Sequence, residues 1–152
     1  MKILMVCLGN ICRSPMAEVI FRDLVKKRGL SWTVHSAGTN RYHKGGPADP
    51  RAVAECLRRG LDLQAHVARR VVPQDFDAYD VLYSMAEDVT EELAEFATRD
   101  RILSRVRPFV ASGRDVPDPW YGSDGAFASC FELLEQAASE QLEKLIGRDG
   151  DV

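Results

Sequence analysis

Long hydrophobic runs are missing from this sequence. The longest at the start, Ile3-Leu4-Met5-Val6, is far too short to span a bilayer or to serve as a signal peptide. That absence leads us to expect a cytoplasmic protein. Strong charge of either sign is missing too: 20 Lys and Arg against 23 Asp and Glu give a net charge of −3, so no nucleic-acid or anionic-membrane partner is expected. Cysteine is sparse and spread out, at Cys7, Cys12, Cys56 and Cys130, with no Cys-x-x-Cys pair. The chain is long for a disulfide scaffold, and two of the four sit in helical patterns, so a disulfide framework is excluded. Histidine is nearly absent, three in the whole chain and scattered, which argues against a structural zinc site and leaves no metal expected. Repeats, linkers and low-complexity segments are also lacking.

What is present is a soluble composition, 45% hydrophobic and 28% charged over 152 residues. That is enough chain for one domain with its own core, taken here as residues 1–152. The apolar run Ile3–Val6 reads as a buried strand. It leads directly into Cys7-Leu8-Gly9-Asn10-Ile11-Cys12-Arg13-Ser14-Pro15, and a helical pattern follows, with Ala17, Ile20, Phe21, Leu24 and Val25 in register and Gly29 as its stop. Trp32–Ser36 alternates as a second strand ending at Ala37-Gly38-Thr39. Asp49-Pro50 caps a second helix, with Val53, Ala54 and Leu57 expected on its inner face and Gly60 at its end. Pro73–Phe76 reads as a short helical turn, Val81–Met85 as a third strand, and Ala86 to about Thr98 as a helix carrying Val89, Leu93 and Phe96 inward. A weak fourth strand is expected within Arg101–Arg107, on Ile102, Leu103 and Val106. A long last helix is expected from about Asp124 to Ile146, with Phe127, Phe131, Leu134, Ala138, Leu142 and Leu145 as its stripe. Strands alternating with helices predict an α/β fold: a single three-layer domain with a four-stranded parallel sheet, helices on both faces, and a phosphate-binding loop after the first strand. Ligands in such sheets sit at the carboxyl ends of the strands, where Cys7 lies.

The loop after the first strand has the chemistry of an anion site. Backbone amides of Leu8, Gly9, Asn10, Ile11 and Cys12 can turn inward ahead of a helix N-terminus. Gly9 offers backbone freedom, and Arg13, five residues beyond Cys7, can fork onto two phosphate oxygens. The same positive field favours the Cys7 thiolate, a nucleophile poised for phosphorus. Ser14 can donate a hydrogen bond to that sulfur and help it leave. The leaving oxygen needs a proton from another loop. Asp118, stiffened between Pro117 and Pro119, is the candidate general acid, and as a carboxylate it can then activate water. Trp120 and Tyr121 can wall a slot for a phenyl ring, with Tyr42 opposite. Cys12, in the same loop as Cys7, suggests a reversible Cys7–Cys12 disulfide that shields the nucleophile.

Val6–Pro15 resembles the signature of the low-molecular-weight protein tyrosine phosphatases. Ser36–Thr39, Tyr42-His43 with Gly45 and Pro47, Pro47–Arg51, His66–Arg69 and Asp118–Gly122 are similar to further segments of that family. The resemblance implies hydrolysis of phosphotyrosine through a cysteinyl-phosphate intermediate, with no metal or cofactor and with phosphotyrosine-containing proteins as partners. It also implies that Asn10, Ser36 and His66 bond to the loop and to Ser14 and hold its backbone. The exposed aromatics leave a monomer or a weak homodimer as the expected state. One position departs from the pattern. The family's third strand usually ends Met-Asp, and that Asp is thought to brace the catalytic Arg. Here Met85 is followed by Ala86, and Glu87 and Asp88 are the nearby carboxylates.

Three rivals bear on the same residues. A thiol-dependent arsenate reductase needs relay cysteines near the third strand, and residues 81–95 hold none. A phosphoarginine phosphatase tends to carry Thr where this chain has Ile11. A dead phosphate-binding module has no need of Cys7, Arg13 and Asp118 together, although Ala86 speaks for it.

Overall fold

The computed structural model describes residues 1–98, 104–123 and 125–150, the side chains of 148–150 excepted. Its elements in chain order are β1 (Lys2–Cys7), α1 (Arg13–Lys27), β2 (Thr33–Gly38), α2 (Pro50–Arg58), α3 (Asp75–Ala78), β3 (Val81–Ser84), α4 (Glu87–Leu93), β4 (Val106–Pro108), a 3₁₀ turn (Pro119–Tyr121) and α5 (Ala126–Gly150). The four strands are all parallel in the order β2-β1-β3-β4. β1 is therefore flanked on both edges, Val6 pairing with Ala37 on one side and Ser84 on the other.

Alternation along β1 divides the core. Ile3, Met5 and Cys7 join the layer under α1 and α5, with Phe21, Val25, Phe131, Leu134 and Leu142. Leu4 and Val6 join the layer under α3 and α4, with Phe76, Leu82, Val89 and Leu93. The three-layer sheet expected from the sequence is the one found. No helix among the described residues is long and apolar enough to cross a membrane.

Three local expectations are corrected. On α2 the buried residues are Ala52, Glu55 and Cys56, while Leu57 is exposed. Glu55 goes inside because Arg58 and Arg59 both pair with its carboxylate, at 2.7 and 3.1 Å, so a charged residue occupies the face that an apolar pattern cannot reveal. α4 stops at Leu93 rather than near Thr98. Glu91 and Glu95, four apart, would oppose each other on a longer helix. The fourth strand is found at Val106–Pro108. Residues 101–103 of its expected span lie outside the described residues, as does Asp124, the expected start of the last helix.

Candidate active site

β1 delivers Cys7 to the carboxyl edge of the sheet, and α1 begins at Arg13. The loop between them is pinned from outside through its carbonyls. Thr39 N–H donates to Cys7 O at 3.0 Å, Asn40 N–H to Leu8 O at 3.0 Å, and Asp49 N–H to Ile11 O at 2.9 Å. His66 Nε2 reaches Asn10 O at 2.7 Å. A carbonyl only accepts, so His66 carries its proton on Nε2. With the carbonyls drawn outward, the amides of residues 8–12 have no acceptor among the described residues. A row of free amides ahead of a helix N-terminus is an anion site.

The strained residue in this loop is Asn10, not Gly9. Asn10 has φ +57° and is wholly buried. Its side chain donates to Ser14 Oγ at 2.8 Å and Ser36 Oγ at 3.0 Å, and accepts from Arg69 N–H at 3.0 Å. Those bonds hold a conformation that a non-glycine residue avoids. Gly9 lets the His43 ring approach closely instead: a Cβ there would lie 3.0 Å from His43 Cδ2. Gly38 of β2 lies under the loop, where a Cβ would sit 2.6 Å from Leu8 O.

Cys7 Sγ and Ser14 Oγ are 3.0 Å apart. Because Asn10 donates into Ser14 Oγ, the hydroxyl proton is left to point either at Ala37 O, 3.4 Å away, or at the closer sulfur. Arg13 is only 4% exposed. Its Nη1 donates to Val116 O at 3.0 Å, and its Nη2 lies 3.6 Å from Asp118 Oδ2. The partner that orients Arg13 is thus a backbone carbonyl from the Asp118 loop. Glu87 does not take the place of a carboxylate at Ala86: it is exposed on α4, and the groups that engage Arg13 among the described residues are Val116 O and Asp118. Asp118 Oδ1 accepts from Trp120 N–H at 3.1 Å and caps the 3₁₀ turn, leaving Oδ2 toward Arg13.

A cavity of about 320 Å³ opens over these groups. Of the residues expected at the site, Cys7, Leu8, Gly9, Ile11, Cys12, Arg13, Tyr42, Asp118, Trp120 and Tyr121 line it. Asn10, Ser14, Ser36 and His66 stand behind the loop, joined to it by the bonds above. Tyr42 and Tyr121 are 87% and 86% exposed and form the rim. The ring facing Trp120 is that of His43, 5.8 Å between centroids. His43 and Asn40 line the cavity without having been assigned a role from the sequence. The imidazole beside Tyr42 was the available signal.

Arg51, held by Asp49, supports the Asp118 loop. Arg51 grips the buried Asp49 through Nε and Nη2 at 3.1 and 2.9 Å. Its guanidinium lies between the rings of Trp120 and Phe127, 5.3 and 4.7 Å from their centroids. Since Asp49 N–H also holds Ile11 O, one residue pair links the anion loop to the Trp120 wall. Burial, helped by the nearby Asp49 carboxylate and Cys7, pushes the Cys12 thiol well above its ordinary value. Burial, with help from the neighbouring Glu55 carboxylate, pushes Cys56 up to about 12. No group of three or more His, Cys, Asp or Glu among the described residues is placed to hold a metal ion.

The family model "Low molecular weight phosphotyrosine protein phosphatase" matches residues 2–151. A low molecular weight protein-tyrosine-phosphatase of Streptomyces coelicolor is 39% identical over 150 residues, covering 93% of this chain and 91% of that protein. The crystal structure of a protein tyrosine phosphatase from Entamoeba histolytica, with Hepes in its active site, superposes with a TM-score of 0.89 at 33% identity, covering 100% of this chain and 99% of the other. A Drosophila arginine phosphatase superposes with a TM-score of 0.87 at 29% identity, over 95% of this chain and 98% of its own.

Proposed function

Because the chain belongs to the low molecular weight phosphotyrosine protein phosphatases, we propose that it hydrolyses phosphotyrosine in proteins, with Cys7 as nucleophile, Arg13 as phosphate binder and Asp118 as general acid and base. The observation that carries this reading is the loop itself: carbonyls tied outward, amides of residues 8–12 free, and Cys7 and Arg13 at its two ends.

The phosphate dianion sits on the free amides at the N-terminus of α1, with Arg13 forked on its outer oxygens. Cys7 Sγ attacks phosphorus in line. The P–O bond to the tyrosyl oxygen breaks as Asp118 delivers a proton to that oxygen, so no free phenolate is released. The negative charge spread over the phosphoryl oxygens in the transition state meets donors already in place, which is where the largest rate gain lies. In the second half, Asp118, now a carboxylate, takes a proton from water. The water oxygen attacks phosphorus, the S–P bond breaks, and inorganic phosphate leaves. Ser14 Oγ–H, set by Asn10, donates to the sulfur as its charge returns. Tyr42, His43, Trp120 and Tyr121 give the depth and flat walls that suit an aryl ester.

Pre-steady-state hydrolysis of a phosphotyrosine peptide near pH 6 tests this. Wild type should release a burst of about one equivalent of dephosphorylated peptide, and Cys7→Ser none. Wild type that binds inorganic phosphate yet turns over only phosphoarginine would assign the substrate of the arginine phosphatase relative instead. No turnover of either would leave a binding module. Asp118→Ala should cost about a hundredfold or more in kcat on phenyl phosphate, with a smaller loss when the leaving phenol is acidic.

A further inference from the structure

Arg13, at the start of α1, is engaged by the same short segment that carries Asp118, and the Asp115 side chain ties that segment to the start of α4. Among the described residues, the groups that engage the Arg13 guanidinium are Val116 O and Asp118 Oδ2, two residues apart. Val116 is buried, and its N–H donates to Met85 O at 2.8 Å, just past β3. One residue earlier, Asp115 Oδ1 accepts from Glu87 N–H at 2.9 Å, the first amide of α4. The residue in the capping position of α4, Ala86, makes no side-chain cap bond. Asp115 supplies that cap from across the gap.

We infer that Asp115 is a positioning residue: by capping α4 it sets the Val116 carbonyl, and through it the pose of both Arg13 and Asp118. Ala86 brings no carboxylate to the end of β3 to hold Arg13 independently. The tie also borders a cavity of about 210 Å³ lined by Ser84, Ala86, Thr90, Pro108 and Arg114. Toward α4 the bond from Glu87 N–H to Asp115 is the tie, and the segment's other hold is the buried Val116 side chain with its N–H on Met85 O. The exposure of Asp115 makes it read as a surface turn residue, yet its neighbours reach the reaction centre from two sides. Loss of the bond moves the phosphate binder and the proton donor together. Loss of Asp118 alone removes the acid without removing the Val116 brace.

The proposal rests on the phosphatase reading above, and the test separates the two. Wild type, Asp115→Ala and Asp115→Asn of the full chain are compared in two measurements. Inhibition by inorganic phosphate reads Arg13. The rate across aryl phosphates of graded phenol acidity reads Asp118. Asp115→Ala should weaken phosphate binding and lower kcat by about ten- to a hundredfold on the poorest leaving groups, steepening the leaving-group dependence. Asp115→Asn, whose side-chain oxygen still accepts from Glu87 N–H, should restore both. The inference is overturned if Asp115→Ala leaves both readouts at wild-type values while the melting temperature falls, which is a cap and nothing more. It is equally overturned if Asp115→Asn is as impaired as Asp115→Ala, or if only one readout moves. Inert wild-type protein would instead sink the phosphatase reading itself, and phosphate binding measured directly would still report on Arg13.

Discussion

Asn10 does two jobs whose energies can be separated. Its left-handed backbone costs about 1 kcal/mol against glycine, and its side chain gathers Ser14, Ser36 and the Arg69 amide. Asn10→Gly and Asn10→Ala both lose the gathering, so both should lower kcat by roughly the same factor. Asn10→Gly should be the more stable in urea by about 1 kcal/mol, because only it relaxes the backbone. Equal stability would show that the strain lies elsewhere. The paired thiols of the loop make a second residue-scale prediction. Cys7 and Cys12 are free and buried, and burial disfavours the Cys12 thiolate. Peroxide should therefore meet Cys7 first, giving a sulfenic acid that Cys12 displaces with loss of water. Alkylation mapping after mild peroxide should show both thiols lost together and recovered with a dithiol. Cys12 remaining alkylatable while Cys7 is lost would dismiss the disulfide. The residues legible in the sequence were those whose chemistry is local: Cys7, Arg13 and Ser14 lie within eight consecutive residues of the chain. Val116 acts through a carbonyl, which every residue has, and Asp115 acts on an amide 28 positions away. Neither leaves a mark that a sequence pattern can show.

At the scale of elements, α2 is the piece whose charge matters most. Burial pushes the Asp49 carboxyl up, but hydrogen bonds from the Arg51 side chain and the Arg51 and Ala52 amides more than offset this and hold it below the ordinary value. The Arg58 hydrogen bond, ahead of the opposing effect of burial and with help from Arg59, does the same for Glu55. Depressed carboxyls release their protons more readily folded than unfolded. Their contribution to stability is therefore complete above the unfolded value of about 4 and is lost as pH falls through the folded values. Melting temperature should drop steeply below pH 4, and Asp49→Asn with Glu55→Gln should flatten that drop while lowering stability at neutral pH. An unchanged acid limb in the double variant would remove α2 from the account. The stripes of α1 and α5 were legible because each is apolar at nearly every buried turn. That of α2 was not, because a paired glutamate holds its central buried position. β4 was barely legible, since three residues at a sheet edge ending in proline carry little periodicity.

For the whole molecule, the sheet is a mounting plate with the reaction at one rim and the core on both faces. Core substitutions far from that rim should act through stability alone. Phe131, buried on α5 against the layer under α1, illustrates this. Phe131→Ala should cost about 3–5 kcal/mol, yet the protein that remains folded at low temperature should keep its kcat. A fall in kcat at low temperature matching the fall in stability would mean that the plate itself flexes.

The bond from Arg13 to Val116 spans 103 positions of the chain, and it dates the birth of the enzyme during synthesis. A ribosome that has made β1, α1 and β2 has already released Cys7 and the amides that flank it, but not Val116, Asp118 or α5. The nascent chain carries Cys7 and its loop without the carbonyl that engages Arg13 until Val116 has been made. The site therefore comes together in one step, and a polypeptide abandoned midway holds the loop without the segment that engages Arg13.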